Sequence, residues 1–386
     1  MAPARIFMVA AEPSGDVLSR EVIEHLRALE PDIEIAAIGG DETAKAGLTS
    51  PIDISPLSIL GLFEGLKAYG DVVKLADAAA DAIIEFAPEA VVLVDSWGFM
   101  LRVAQRIRTR APHIKLIKLV GPQVWATRAG RARTLAATVD HLICIHAMEE
   151  AYYQPHGLPI TVMGNPALSR TDPGDRAGFR AQIGLGDKDE LLLVLPGSRL
   201  SEVKNVAPAL VGAARLIKQA RPNTTILFAP SPSIKTAFLE AFKDISDWAL
   251  VLDPDANSYD AMAAADLALA CSGTVTSELA VQGTPFLVAY KVGWITWFIA
   301  KNFLYRPTHI TLLNIAADDT EIAPEFLQAG LKPEALADKA LALLNDPSAL
   351  AAQRDEQNKA LTRMGEGLGN APDIAARTIL EVISDL

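Results

Sequence analysis

The chain has 386 residues, half of them hydrophobic and 21% charged, which excludes a disordered or fibrous protein and provides enough chain for two or three domains. Its 35 basic and 47 acidic residues give a net charge of −12, so no chain-wide positive field exists to hold nucleic acid or anionic lipid, and phosphate recognition must be local. Cys144 and Cys271 lie far apart in apolar runs, which indicates reduced thiols in a cytosolic protein.

The amino-terminal segment contains an apolar run that is too short for a secretory signal. No stretch reaches the ~18 uninterrupted apolar residues expected of a membrane-spanning helix. We therefore expect a soluble protein, or one that sits on a membrane surface.

Short β-branched runs alternate with segments of helical spacing, and this pattern occurs twice in succession. It predicts two doubly wound α/β domains, residues 1–166 and 167–368, followed by a C-terminal helix within residues 369–386. The linker is Asn165–Gly174, which contains two prolines and several turn residues. The predicted strands are Ile6–Ala10, Ile33–Ile38, Val91–Val94, Ile114–Val120, His141–Ile145, Ile160–Val162, Leu191–Leu195, Thr225–Phe228, Ala249–Leu252, Leu267–Ala270 and Phe286–Ala289.

Acidic residues follow two strands of the first domain. In open parallel sheets ligands bind at the carboxyl ends of strands, so these residues are candidates for a site. Glu12-Pro13-Ser14-Gly15-Asp16 follows the first strand, and Asp95 follows Val91–Val94 beside the apolar Trp97. Ser14 or Asp16 could cap the first helix, and Asp95 could cap the helix that follows it, but Asp95 is equally placed to act as a general base. No G-x-G-x-x-G is present after the first strand, which argues against a nicotinamide or flavin cofactor.

Two turns of the second domain have the composition of anion-binding sites. Pro196-Gly197-Ser198-Arg199 lies between a strand and a helix, where backbone N–H groups bind anionic oxygens and Arg199 adds a bidentate donor. Ser272-Gly273-Thr274 follows another strand, and Glu278 lies one turn into the next helix, where it could accept ribose hydroxyls. Together they predict a nucleotide diphosphate. The alternatives are a solvated arginine and helix capping by Ser272 and Thr274.

The sequence contains few motifs with the composition or spacing of a metal site. Asp253-Pro254-Asp255 matches the D-x-D pattern by which some glycosyltransferases hold a divalent ion, but such loops are common on protein surfaces. No histidine pair or Cys/His cluster has the spacing of a zinc site, and the Walker and G-x-S-x-G motifs are absent. We expect neither a metal nor a cofactor.

Taken together, the motifs resemble those of the lipid-A-disaccharide synthases, a family of inverting glycosyltransferases with two Rossmann-like domains facing across a cleft (GT-B type). The resemblance covers nearly the whole chain. Its motifs are Glu12-x-Ser14-Gly15-Asp16, Gly61-x-x-Glu64, Val94-Asp95, Gly121-Pro122-Gln123-Val124-Trp125-Ala126, Gly164-Asn165-Pro166, Pro196-Gly197-Ser198-Arg199, Ser272-Gly273-Thr274 with Glu278, and Asn314 followed by Pro324-Glu325-x-x-Gln328.

The resemblance implies transfer of the sugar of UDP-2,3-diacylglucosamine to 2,3-diacylglucosamine 1-phosphate, which forms the β-1,6-linked lipid A disaccharide precursor and releases UDP. It assigns Asp95 to the essential acid of the family, and Arg199 and Asn314 to substrate binding. It also implies a cytoplasmic enzyme at the inner face of the inner membrane. The donor-side candidates are Gly197, Ser198, Arg199, Ser272, Gly273, Thr274, Glu278, Asn314 and Gln328, and the acceptor-side candidates are Glu12, Ser14, Asp16 and Glu64.

Diacylated substrates need an apolar surface, and two segments could supply one: Ile59–Leu66 and Val292–Tyr305. Trp294, Trp297 and Phe298 have the spacing i, i+3 and i+4, so they share one helix face and could enter the membrane interface together. A buried core helix is the alternative. The C-terminal helix, Pro372–Leu386, either folds back over the first domain or is exchanged within a homodimer.

Two other functions remain open. One is a different UDP-sugar enzyme of the same architecture, such as a 2-epimerase or a peptidoglycan-type transferase, for which membrane dependence would not be expected. The other is a catalytically silent homologue that binds lipid or nucleotide, and the retention of Asp95 argues against it.

Overall fold

In the computed structural model, the described residues are 3–54, 69–169, 171–253, 256–291 and 307–384. They form two compact units, Met1–Pro166 with Gly365–Leu386, and Ala167–Met364. Several predictions made from the sequence concern residues outside these ranges. They are the apolar segments Ile59–Leu66 and Val292–Tyr305, with Glu64, Trp294, Trp297 and Phe298, and the pair Pro254 and Asp255.

The first unit is built on a six-stranded parallel sheet with the strand order β2-β1-β3-β4-β5-β6. Its strands are β1 (Arg5–Ala10), β2 (Glu34–Ile38), β3 (Ala90–Val94), β4 (Lys115–Leu119), β5 (His141–Cys144) and β6 (Ile160–Val162). Its helices are α1 (Pro13–Leu29), α2 (Asp41–Lys45), α3 (Tyr69–Phe86), α4 (Trp97–Arg110), α5 (Arg131–Ala136), α6 (Glu150–Tyr153), α7 (Pro166–Ser169, which extends into the second unit) and, after the second unit, α17 (Ala371–Ser384).

β3 is apolar throughout, and β1 is apolar after its first residue, because helices cover both faces of the sheet. Successive side chains of β1 point to opposite sides of the sheet. Met8 packs in a cluster with Val22 of α1 and Ile379 of α17. Phe7 packs on the other side in a cluster with Ile83 of α3. The C-terminal helix thus completes one layer of the first unit, which is one of the two arrangements that the sequence left open.

The second unit contains another six-stranded parallel sheet, with the order β12-β11-β10-β7-β8-β9. Its strands are β7 (Leu191–Leu195), β8 (Thr225–Phe228), β9 (Leu250–Val251), β10 (Leu267–Cys271), β11 (Phe286–Tyr290) and β12 (Glu325–Leu327). Its helices are α8 (Arg176–Gln182), α9 (Leu200–Asn205), α10 (Ala207–Ala220), α11 (Lys235–Ala241), α12 (Ser258–Ala264), α13 (Val275–Val281), α14 (Leu312–Ala316), α15 (Pro333–Leu344) and α16 (Pro347–Arg363).

The predicted α/β fold class is confirmed, with two parallel six-stranded sheets. All the predicted strands are present, and their ends differ from the prediction by one residue at most. The prediction missed β12, a half-buried three-residue strand at the sheet edge that pairs with β11. Both cysteines are buried free thiols, as expected.

Each sheet reverses its direction of growth once. In the first unit the chain runs from β1 to β2 and then crosses to β3 on the other side of β1; in the second, β10 lies on the opposite side of β7 from β8. A ligand of such a sheet binds at this switch point, beyond the carboxyl ends of the two strands. The loops at these points carry Glu12 and Asp95 in the first unit, and Arg199 and Ser272 in the second.

Candidate functional site

Asp95 directly follows β3 at the switch point of the first unit. It is half-buried, and its backbone N–H donates to the carbonyl of Leu119 (2.8 Å), so pairing with β4 continues one residue beyond the strand. The N-cap residue of α4 is Ser96, which makes no side-chain cap bond. The carboxylate of Asp95 accepts no hydrogen bond from any described residue. The helix-capping alternative is therefore not observed, and the carboxylate is available for chemistry.

The backbone at this point is held in an unusual conformation. Asp95 has a φ of 50° and Ser96 a φ of 34°, in the left-handed region that L-residues rarely adopt. The first turn of α1 lies against it, since a Cβ on Gly15 would be 3.6 Å from the Cβ of Asp95. Such strained residues persist only where surrounding contacts hold them, and they cluster at functional sites.

A buried lysine contacts the backbone of Asp95. Lys118 of β4 is only 2% exposed, and its Nζ donates to the backbone carbonyls of Leu93 (3.0 Å) and Asp95. Burial lowers the pKa of Lys118 to about 7, against the opposing influence of the carboxylates of Asp95 and Glu12. Sequence reasoning missed this residue. The sequence did contain a signal for it, because a lysine is unusual within a strand that is predicted to be covered on both faces.

The acceptor-side candidates after β1 have different environments. The carboxylate of Asp16 accepts hydrogen bonds from the backbone N–H groups of Gly40 (2.9 Å), Glu42 (2.8 Å) and Thr43 (3.2 Å), and from the Thr43 hydroxyl. It therefore caps α2 and not, as the sequence suggested, the helix in which it lies. Glu12 is the N-cap residue of α1, and both Glu12 and Ser14 are exposed.

The second unit contains a pocket of about 420 Å³ at the carboxyl ends of β7 and β10. Leu252, Asp253 and Met262 also line this pocket. The structure thus brings the two predicted anion turns together, as expected for loops at one switch point. The donor-side candidates that line this pocket are Gly197, Ser198, Arg199, Ser272, Gly273, Thr274 and Glu278.

The backbone amides of the first predicted anion turn have a partner within the protein. The carboxylate of Glu202 accepts hydrogen bonds from the backbone N–H groups of Ser198 (2.7 Å) and Arg199 (3.1 Å), so these two amides are occupied by the protein itself. An acid at the third position of a helix commonly reaches back to the free amides of the first turn. Gly197 permits this contact, because it has a φ of 113° and a Cβ there would overlap the Glu202 carboxylate.

The groups that remain for an anion are side chains and the second turn. The side chain of Arg199 is 76% exposed, with Nη1 3.7 Å from Glu202 Oε1. Thr274 is the N-cap residue of α13 but makes no side-chain cap bond, so the capping alternative is not observed there either. Glu278 is half-buried, and burial raises its pKa.

Two donor-side candidates do not line this pocket. Asn314 is fully buried; its Nδ2 donates to the carbonyl of Ala323 (2.8 Å) and to Glu325 Oε1 (3.0 Å), while its Oδ1 accepts from the N–H groups of Ile322 (3.0 Å) and Ala323 (2.8 Å). All its hydrogen-bonding capacity serves to hold this segment together. Gln328 follows β12 with a φ of 51°.

Neither a metal centre nor a membrane span is found in the part of the chain that the structure describes. No group of three or more His, Cys, Asp or Glu side chains there is arranged to hold a metal ion. No described helix is long and apolar enough to cross a membrane.

Comparison with solved structures shows a shared fold. A putative UDP-N-acetylglucosamine 2-epimerase from Listeria monocytogenes matches with a TM-score of 0.60 at 15% identity, over 100% of this chain and 96% of that one. Acinetobacter baumannii MurG matches with a TM-score of 0.57 at 17% identity, over the whole of both chains.

Comparison of sequences identifies the family. The lipid-A-disaccharide synthase of Rhodospirillum centenum is 36% identical over 386 residues, which covers 100% of this chain and 96% of that protein. The enzyme of the same name from Ruegeria pomeroyi is 34% identical, over 98% of this chain and 95% of that protein. The family model described as lipid-A-disaccharide synthetase matches residues 6–379. This chain therefore belongs to the lipid-A-disaccharide synthetase family.

Proposed function

We propose that this protein is an inverting glycosyltransferase that joins UDP-2,3-diacylglucosamine to 2,3-diacylglucosamine 1-phosphate and releases UDP. The observation that carries the proposal is the pocket of the second unit, in which Arg199 and the turn Ser272-Gly273-Thr274 line one cavity. Family membership, which spans both units, supports the identity of the sugars. An enzyme of this kind needs a base for the acceptor and a cationic site for the leaving diphosphate, and we propose Asp95 for the first role and Arg199 for the second.

Asp95 is the proposed general base. An inverting transfer passes in one displacement: the acceptor 6-hydroxyl attacks the anomeric carbon, the bond to the UDP oxygen breaks, and the hydroxyl proton goes to the base. A carboxylate without hydrogen bonds from the described residues can accept that proton. Its position at a topological switch point is where such sheets bind their ligands.

Arg199 is the proposed cation for the departing UDP. Its guanidinium can donate two parallel hydrogen bonds to phosphate oxygens. The hydroxyl groups of Ser198, Ser272 and Thr274 line the same pocket and can donate further hydrogen bonds. We propose that these groups, without a metal ion, stabilise the charge that develops on the diphosphate. Glu278 is the proposed partner of the ribose hydroxyls.

We also propose that the enzyme works at the cytoplasmic face of the inner membrane, because both substrates carry acyl chains. A net charge of −12 makes attachment by charge unfavourable at an anionic surface. Apolar contact through the Val292–Tyr305 segment is the proposed means, supported by the aromatic spacing of its sequence.

The test is product analysis with the purified protein. Incubation with the two acylated substrates in detergent micelles, followed by mass spectrometry, should show a disaccharide and UDP in equal amounts. UDP-N-acetylglucosamine alone is the control for an epimerase. Interconversion of that sugar without disaccharide formation would support the epimerase alternative, and binding of UDP without any product would support a silent homologue.

A further inference from the structure

The buried Lys118 has no place in the reaction described above, yet it touches the backbone of the proposed base. Its side chain crosses from β4 to the end of β3, its neighbour in the sheet, where Leu93 is its register partner. There Nζ donates to the carbonyl of Leu93 (3.0 Å) and to that of Asp95, the residue at which the backbone turns into the left-handed region.

An ammonium group at this position is costly for the fold. Lys118 is 2% exposed, and apolar side chains of α4, including Trp97 and Met100, line the small cavity beside it. A buried charge is retained only where it is paired or hydrogen-bonded. The carboxylates of Asp95 and Glu12, the two acids at the switch point of this unit, favour the charged form of Lys118. A leucine or methionine in this strand would pack without that cost.

We propose that Lys118 is a positioning residue of the transfer reaction: by bonding the carbonyls of Leu93 and Asp95, it fixes the strained turn from which Asp95 presents its carboxylate. This inference rests on the proposed role of Asp95 as the base. Two fixed carbonyls on either side of Val94 restrict the backbone rotation that would swing the Asp95 side chain away. Misplacement of a catalytic group by about 1 Å can lower a rate by about 100-fold.

The test is a double-mutant cycle on turnover in the full-length protein. Lys118→Met keeps the length and volume of the side chain and removes its donors. Lys115→Met is the matched control, because Lys115 lies at the opposite end of the same strand. We expect Lys118→Met to lower kcat about 10- to 100-fold with little change in the KM of either substrate, and Lys115→Met to leave both unchanged. In the Asp95→Asn background, Lys118→Met should cause no further loss of turnover.

The conservative variant separates positioning from mere stability. Lys118→Arg retains a charged donor and should recover part of the lost kcat. The thermal unfolding midpoint of each variant shows whether the fold survives. A folded Lys118→Met protein with the kcat of the wild type would overturn the inference, and so would a loss of the same size in the Asp95→Asn background. Failure of the proposed function itself is distinct, since then the wild-type protein makes no disaccharide.

Discussion

Glu149 gives the sharpest prediction about stability. It lies between β5 and α6 and is only 3% exposed. One carboxyl oxygen accepts a hydrogen bond from the backbone N–H of His146 (3.0 Å), and the other faces Gly121, where a Cβ would be 3.4 Å away. Burial raises the pKa of Glu149 from its ordinary 4.5 to about 7, although backbone hydrogen bonds from His146 and Ile145 oppose the rise.

The raised pKa means that the folded protein binds the proton more tightly than the unfolded chain does. Protonation of Glu149 therefore adds to the free energy of unfolding. This contribution is fully present below pH 4.5 and is lost as the pH rises through about 7. The difference between these two values corresponds to about 3 kcal/mol, since each tenfold change in an equilibrium constant is worth about 1.4 kcal/mol. Glu149→Gln keeps the shape and the acceptor oxygen but carries no charge at any pH. The variant should become more stable than the wild type at alkaline pH.

The measurement is urea unfolding of the wild type and Glu149→Gln at pH 5 and pH 8. We expect the free energy of unfolding of the variant, relative to the wild type, to increase by about 2–3 kcal/mol between these pH values. Glu150→Gln is the control, because it removes the same charge from the adjacent, more exposed position. A relative stability of Glu149→Gln that is the same at both pH values would refute the reasoning.

Three further predictions concern the donor pocket and the membrane. Activity should survive thorough chelation by EDTA, because in the proposed mechanism side chains, and not a metal ion, stabilise the charge of the leaving group; loss with EDTA and recovery with Mg²⁺ would contradict this. Gly197→Ala should lower stability by about 1–3 kcal/mol, because a Cβ would strain the backbone and displace Glu202, whereas Gly330→Ala, with open space around it, should be tolerated in thermal unfolding. The double variant Trp294→Ser/Trp297→Ser should stay folded, leave vesicles and lose activity mainly on long-chain substrates; a loss of about 3–5 kcal/mol in stability would indicate core residues instead.

The sheets could be predicted from the sequence because strands covered on both faces are short, continuous apolar runs. The edge strand Glu325–Leu327 escaped prediction because it is short and only half-buried, so its sequence has no such run. The positions of the candidate residues relative to the strands were also predictable: Asp95 directly follows β3, and Arg199 lies in the turn after β7.

The bonding partners within the site could not be predicted. Asp16 bonds to residues 24 to 27 positions later in the chain, a contact that depends on how α1 and α2 pack. Glu202 accepts hydrogen bonds from the two backbone N–H groups assigned to phosphate, a contact that depends on the conformation of the turn at Gly197. The contact of Lys118 with Asp95 depends on strand order, which brings β4 beside β3. Periodicity specifies which face a residue occupies but not which distant group meets it there.

The central claim is that Asp95 is the base of a glycosyl transfer, and the rate of disaccharide formation by Asp95→Asn tests it most directly. The substitution keeps the shape of the side chain and removes its ability to accept a proton. We predict a kcat about 10²- to 10⁴-fold below that of the wild type, with the UDP affinity and the thermal unfolding midpoint unchanged. A folded Asp95→Asn protein that forms disaccharide at nearly the wild-type rate would contradict the account.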